Sequence, residues 1–310
     1  MLNYLINRLF IAVMVTITVS IIAFSLLRLS GDLAAELAGD DATEEEIAQV
    51  AKAYGLDRPL YFQYLVWAGG ALTGDLGQSI FSNEPVFSIL KGAVPTTAKL
   101  AILALSLGII IAVPLGIISA VYQNTAVDRA SLVLAVFGQA IPNFWLGLMF
   151  ILLFGVALRW LPISGQDTIW HFVMPTVTIA LSTLPQIMRL TRTGMVEVLQ
   201  SDYIRAAYAK GLPARIVILK HALRNAILPV VSITMVTFGF LLGGTVVVET
   251  IFALNGLGFE AFQAIIRQDF PVLQSVVLFI SVIYIGLTLM SDLINAQLDP
   301  RIRLQGGRRR

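Results

Sequence analysis

Few side chains in this sequence are placed to do covalent chemistry. Two histidines, His171 and His221, have neither a carboxylate nor a second histidine at ligand spacing, so neither starts a metal site. Zero cysteines remove disulfides and thiolate ligands. Serines near the apolar runs lack a base, because Lys99 and His171 fall at run edges and no Asp or Glu sits at a run centre. The phosphate loop G-x-x-x-x-G-K-[ST] does not occur, and the short "NGLGF" at Asn255–Phe259 follows no strand. Glu249, Asp292 and Arg189 lie near the ends of apolar runs, where an ion-coupled pathway would need them deeper. Energy for uphill movement would therefore enter from outside the bilayer. What remains is uncharged hydrogen-bonding groups within apolar runs, and one basic stretch, "SDYIRAAYAKGLPARIVILKHALRNAILP" at 201–229.

These groups sit in 310 residues of which only 13% are charged, with a mean hydropathy of +0.83. That is more apolar surface than one water-soluble core can hide, and the chain reads as an all-α polytopic membrane protein. A helix rises about 1.5 Å per residue through a hydrocarbon layer about 30 Å thick, so a span needs roughly 20 mostly apolar residues. Six windows qualify: Leu9–Leu29, Leu100–Tyr122, Leu132–Leu158, Phe172 to Thr191, Val230–Val248 and Ser275–Ile294. Gln139, Pro142 and Asn143 interrupt the third. The fourth carries Pro175, Pro185, Gln186 and several hydroxyls, which only shielding by neighbouring helices would make tolerable. Arg8 ahead of a run of about twenty residues reads as an uncleaved anchor, since a signal-peptide core is shorter.

Of 21 Lys and Arg residues, 14 fall at Arg8, at Arg129, between Arg189 and Arg224, and from Arg301 to Arg310. Residues 30–99 hold only Lys52, Arg58, Lys91 and Lys99 against ten acids. The positive-inside rule then places both termini in the cytoplasm and residues 30–99 outside. In that outer segment Thr43 and Glu46 form a capping box for a helix over Glu44–Tyr54, closed by Gly55. A solvated cap and a docking surface for an external partner both fit it.

The basic stretch reads as helix, break, helix. Asp202 caps a first helix running through Tyr203–Lys210, with Tyr203, Ala206 and Ala207 on one face. Gly211 offers a left-handed stop, and Pro213 suits the first turn of the second helix. There Ile216, Leu219, Leu223 and Ile227 fall at helical spacing, with Arg215, Lys220, His221 and Arg224 mostly elsewhere around the axis. Such a pair could lie on the inner leaflet and do nothing more.

The wording is more specific than amphipathicity. "RAAYAKG", then fifteen residues, then "ILP" at Ile227–Pro229, resembles the EAA motif of ABC-importer permeases, with Arg205 in place of the usual Glu. "DYIRAAYAKGL" with "KHALRNAILP" resembles the form found in dipeptide, oligopeptide and nickel permeases. The likeness runs almost end to end, through "NYLINRLF", "FSLLRLSGD", "YGLDRPLYFQYLVW", "GDLGQS", "VPTTAKLAI", "VPLGIISAVYQNTAVDRA", "IPNFWLG", "LPISG" and "LDPRIR". It resembles the B-type half of a two-permease pair, since the C-type G-T-D-x-x-G-R-D-like segment is missing. "FALNGLG" has Asn255 where the family usually has Pro, which would loosen that outer loop.

The resemblance implies the type I ABC-importer permease fold, with six transmembrane helices and both termini cytoplasmic. It divides the chain into 1–93 (first helix and outer loop), 94–296 (permease core, coupling loop near 197–229) and 297–310 (basic tail). It implies a non-catalytic subunit in a bacterial or archaeal inner membrane that binds no cofactor itself. Its partners would be a homologous C-type permease, two cytoplasmic ATPases carrying ATP and Mg, an external or periplasmic solute-binding protein, and lipid. Asp202, Tyr203, Arg205, Ala206, Ala207, Lys210, Gly211, Leu212 and Arg215 would then meet an ATPase. Gln139, Asn143, Thr176, Ser182, Gln186, Thr234 and Thr237 are pathway candidates, although a hydrogen bond between packed helices is the commoner reason for such residues. Dipeptides, longer peptides, nickel chelates, glutathione and sugars all remain open as cargo. An ion-coupled carrier or channel, and a membrane-embedded enzyme, stand as the alternatives.

Overall fold

The computed structural model describes residues 2–31, 33–39 and 42–298; the basic tail from Arg301 to Arg310 lies outside the described residues. The described chain is helical, with one isolated bridge between Gln78 and Pro85. In order come α1 (Leu2–Ser30), α2 (Leu33–Ala38), α3 (Glu44–Ala53), α4 (Leu60–Thr73), α5 (Val86–Val121), α6 (Ala126–Ala140) and α7 (Asn143–Phe150), which runs on as a wide-pitch helix over Ile151–Ala157. Then follow α8 (Val173–Leu199), α9 (Asp202–Ala209), α10 (Ala214–Ile216), a second wide-pitch segment (Val217–Ala222), α11 (Leu223–Ala226), α12 (Leu228–Gly244), α13 (Val246–Ile251), α14 (Leu257–Ile266) and α15 (Phe270–Leu298).

Three of these are long and apolar enough to cross a membrane unaided: Ile6–Leu26 within α1, α5, and Phe270–Ile294 within α15. Two bent pairs raise that to five at most. The third expected window is one of them, and it is not a straight helix. Pro142 disfavours the helical conformation at Ile141, which adopts φ −91° and ψ 125°; α6 stops there and the chain turns 90° into α7. The fifth window likewise divides at Thr245 into α12 and α13. The capping box at Thr43 is formed, Thr43 N–H to Glu46 Oε2 at 2.8 Å, and Gly55 takes φ +65° past the helix end.

The most polar window became the best shielded helix. α8 packs against α5, α6, α7, α11, α12 and α13. Three of its buried hydroxyls bond carbonyls of their own helix: Thr178 to Met174 O at 2.8 Å, Thr183 to Ala180 O at 3.1 Å and Thr191 to Ile187 O at 2.8 Å. They need no partner helix. Pro185 supplies no N–H to Leu181 O, and α6 comes close there through a glycine: a Cβ on Gly138 would lie 2.8 Å from that oxygen. At the α5 crossing, a Cβ on Gly116 would lie 2.7 Å from Thr191 Cβ and 2.8 Å from Met188 O.

Apolar side chains gather in three clusters along α5. One surrounds Val86 and Leu90 with Leu257, Val272 and Val276; the central one joins Leu100, Ala104 and Ala112 to Met174, Leu184 and Met188; the third joins Ala120 to Met195, Ile204 and Val217. α5 has 36 residues, so its two ends lie on the order of 50 Å apart. Gly116→Val should lower unfolding stability by about 1–3 kcal/mol through overpacking. Gly286→Ala, where a Cβ meets nothing within 4 Å, should not; thermal unfolding of the purified chain reads both.

Candidate functional site

Helix α9 is short, and what holds it is tertiary. Ile204 and Ala207, one turn apart, are 1% and 8% exposed and sink into the cluster with Met195, Val217, Ala222 and Ala226. Its end is a Schellman turn: Gly211 at φ +76° donates to Tyr208 O at 2.9 Å, and Leu212 N–H reaches Ala207 O at 3.4 Å. Leu212 and Ala207 also share the apolar cluster, the contact that accompanies this turn. Tyr203 OH accepts from Asn225 Nδ2 at 2.7 Å, tying α9 to α11.

The expected face of Tyr203, Ala206 and Ala207 is therefore divided. Ala207 points into the protein, whereas Tyr203, Arg205, Ala206, Tyr208, Lys210 and Gly211 face outward, beside an exposed Asp202 that pairs with Arg205 at 3.4 Å. Arg215 is exposed as well. Ile204, the deepest residue of the helix, was missed, although its spacing from Ala207 was a signal. The second helix also differs from its 3.6-residue reading. The wide turn over Val217–Ala222 shifts the register, burying Val217, Ala222 and Ala226 and leaving Ile216 and Leu219 41% and 48% exposed.

Just above this seat lies a clamp that the sequence did not announce. Arg192 grips Asp128 with both arms, Nε to Oδ1 at 2.8 Å and Nη2 to Oδ2 at 2.7 Å. Ser119 Oγ donates to Oδ1 at 2.5 Å and Asn124 N–H to Oδ2 at 2.9 Å. The Arg192 guanidinium, with the Ser119 and Asn124 bonds, holds the Asp128 carboxyl well below the ordinary carboxylate range. The end of α5, the turn after it, the start of α6 and the last turns of α8 are joined at one carboxylate.

Five pathway candidates meet in one place. Gln139 (α6), Asn143 (α7), Ser182 and Gln186 (α8) and Thr237 (α12) line a cavity of about 480 Å3, together with Thr183, Thr245 and Tyr284; its lining carries no charge. Arg189 reaches Gln139 Oε1 at 3.4 Å. Thr176 and Thr234 are not part of that lining. Thr176 is buried with its Oγ1 unpartnered, and Thr234 is half-buried.

The chain is matched by known proteins in both sequence and fold. The family "binding-protein-dependent transport system inner membrane component" matches residues 112–304, and its N-terminal companion matches residues 1–101. The chain belongs to this family. It is 36% identical to the probable peptide ABC transporter permease protein y4tP of Sinorhizobium fredii, over 97% of this chain and 99% of that one. It is 38% identical to the glutathione transport system permease protein GsiC of Escherichia coli K12, over 98% and 99%. Among solved structures, the inward-facing MetNI methionine ABC transporter matches with a TM-score of 0.59 at 19% identity, over 68% of this chain and 96% of that one, so the fold is that of a type I ABC-importer permease. The protein is a non-catalytic permease subunit of an ABC importer.

Toward the other end of α5, a buried carboxylate gathers several segments of the permease. Glu249, which the sequence places near a span end, is 0% exposed. Its Oε1 accepts from Thr97 and Thr245 hydroxyls, both at 2.7 Å, and its Oε2 from Phe259 N–H at 3.0 Å. Thr97 Oγ1 also accepts from Leu257 N–H at 2.7 Å. Gly256 is required here, because a Cβ would lie 2.5 Å from Glu249 Oε2 and from Thr97 Oγ1. Asn255 does not leave the loop untethered: its backbone N–H donates to Gln166 Oε1 at 3.0 Å, a bond proline could not make.

Asp128→Asn should cost the permease about 3 kcal/mol by leaving Arg192 unpaired, and the Asp128→Asn/Arg192→Gln double variant should cost less than the two single variants added together. Because the native carboxyl is depressed, its contribution is complete above about pH 4 and fades as pH falls further. Thermal unfolding across pH should show that acid loss in the wild type and a smaller one in Asp128→Asn.

Proposed function

We infer that α9 is the coupling helix, seated in a groove of a cytoplasmic ATPase through Tyr203, Arg205, Ala206, Tyr208 and Lys210, with Gly211, Leu212 and Arg215 shaping its exit. The single observation that carries this reading is the division of the helix into two faces. Ile204 and Ala207 are anchored beside Met195 of α8, while a polar and aromatic face is left outward. A helix merely resting on lipid would turn its apolar side away from its own protein.

In this reading the chain crosses the membrane six times, with both termini in the cytoplasm and α2 to α4 outside, as the distribution of Lys and Arg supports. The B-type chain pairs with a C-type permease, and two ATPases bind ATP and Mg below. A solute-binding protein delivers cargo from the external or periplasmic side, in a bacterial or archaeal inner membrane. ATP-driven closure of the ATPases displaces α9, and the clamp between Asp128 and Arg192 passes that motion to α5, α6 and α8. The equilibrium shifts only because ATPase contacts at α9 differ in strength between the inward-open and outward-open arrangements.

The cavity at Gln139, Asn143, Ser182, Gln186 and Thr237 forms half of the pathway. Amides and hydroxyls without charge offer interchangeable hydrogen bonds to a peptide backbone while discriminating little by side chain. The names of the relatives, one for peptides and one for glutathione, support a short peptide or peptide-like cargo.

Proteoliposomes holding the C-type partner, both ATPases, the binding protein and internal ATP should take up labelled peptide, whereas the B-type chain alone under a proton or sodium gradient should not. Uptake by the lone chain would establish the carrier reading instead. Ala206→Trp should leave the protein inserted and thermally unchanged but remove ATPase co-purification, since Ala206 is exposed and packs on nothing internal. Gly211→Trp should do the same with added strain at φ +76°. Normal ATPase yield with Ala206→Trp would refute the docking face.

A further inference from the structure

At the end of the bundle away from α9, a cavity of about 500 Å3 is enclosed by the end of α1, the end of α3, α4 and the first turn of α15. Among the described residues its charged lining is Arg28, Lys52 and Arg58 against Asp75, whose Oδ1 already accepts from Gly77 N–H at 3.0 Å. Five buried side-chain polar atoms in the described structure lack a hydrogen-bond partner, and three belong to residues lining this one cavity: Arg28 Nε, Gln63 Oε1 and Gln274 Nε2. Buried polar groups are nearly always paired, so three partnerless groups at one positively charged cavity imply an occupant that pairs them.

Each group is fixed in place. Gln63 spends its amide nitrogen on Leu56 O and Arg58 O, both at 2.8 Å, which orients the amide and leaves Oε1 as a free acceptor. The Arg28 guanidinium carbon lies 5.2 Å from the centre of the Phe24 ring, and Phe24 is itself packed against Tyr64 and Trp67. Gln274 is 5% exposed at the start of α15. Residues lining the cavity therefore hold two partnerless donors, one of them cationic, and one partnerless acceptor. Their complement is a carboxylate or phosphate with an N–H or O–H beside it.

We propose that this cavity, built by Arg28, Gln63 and Gln274, is a binding site for an anionic group, a carboxylate or phosphate, flanked by a hydrogen-bond donor. Arg28 and Gln274 donate to the anion, Gln63 Oε1 accepts from the neighbouring donor, and Lys52 and Arg58 supply the surrounding positive field. A free acylamino-acid terminus and a phosphatidylglycerol headgroup both carry this chemistry. The site stands apart from the uncharged pathway cavity and does not depend on which way the chain faces.

The full-length chain in a neutral detergent, titrated with N-acetylglycine, should show a saturable rise in its thermal-unfolding midpoint. N-acetylsarcosine, which lacks the N–H, should need on the order of tenfold more, and N-acetylglycinamide, which lacks the carboxylate, should give no rise. Arg28→Gln and Gln274→Leu should each abolish the response. In nanodiscs, a higher midpoint in phosphatidylglycerol than in phosphatidylcholine, lost in both variants and blocking the N-acetylglycine response, would support the site and assign it to lipid. Should the wild type not distinguish N-acetylglycine from N-acetylglycinamide, and show no difference between the two lipids, the proposal is overturned. Lipid and solute responses that persist undiminished in Gln274→Leu and Arg28→Gln would overturn it equally.

Discussion

The close crossing of α5 and α8 is the contact on which the rest of the molecule is arranged. α8 is too rich in proline and hydroxyls to face lipid, and it survives because its hydroxyls bond its own carbonyls while α5, α6 and α12 cover it. Gly108 and Gly116 of α5 allow that cover to come close: a Cβ on Gly108 would sit 3.0 Å from Thr183 Oγ1, and one on Gly116 would collide with Thr191. In lipid, where burial of apolar surface does not drive helices together, such small-residue packing is the main source of association. One helix pair thus runs from the seat of α9 to the cluster around Glu249.

At both ends of that pair a carboxylate gathers several chain segments. Asp128 joins α5, α6 and α8 near the seat, using a cation and a bidentate geometry that tolerates little relative displacement. Glu249 joins α5, α13 and α14 at the other end, using hydroxyls and backbone N–H groups alone. The difference bears on the proposed coupling, in which motion enters at the α9 end. A charged clamp carries force between helices, and a set of neutral donors around one buried carboxylate can be remade without exposing an unpaired cation.

Between these ends the cavity is uncharged, and three partnerless polar groups, one of them cationic, belong to residues of another cavity, Arg28, Gln63 and Gln274. On the proposed roles of the two cavities, recognition by charge and passage through amides and hydroxyls are kept in separate places. A permease whose pathway bound cargo tightly would release it slowly, so a weakly interacting lining suits transport driven from the ATPases.

Much was legible from the residues alone. Composition required a membrane, the capping box at Thr43 and the stop at Gly211 placed local boundaries, and the wording of 201–229 carried the family. These are short-range effects: a cap, a left-handed glycine and a run of apolar residues act within a few positions of themselves. Five pathway candidates also converged, because polar side chains in an apolar helix have few places to go. Tertiary structure alone decided the rest. The wide turn at Val217–Ala222 moved the buried face off Ile216 and Leu219, and Ala207 turned inward because Met195 and Val217 offered it a seat. Asp128 and Arg192 are 64 residues apart, and Thr97 and Glu249 are 152 apart. No local pattern encodes such pairs, since each exists only once packing has brought its two segments together and excluded the water that would otherwise satisfy them.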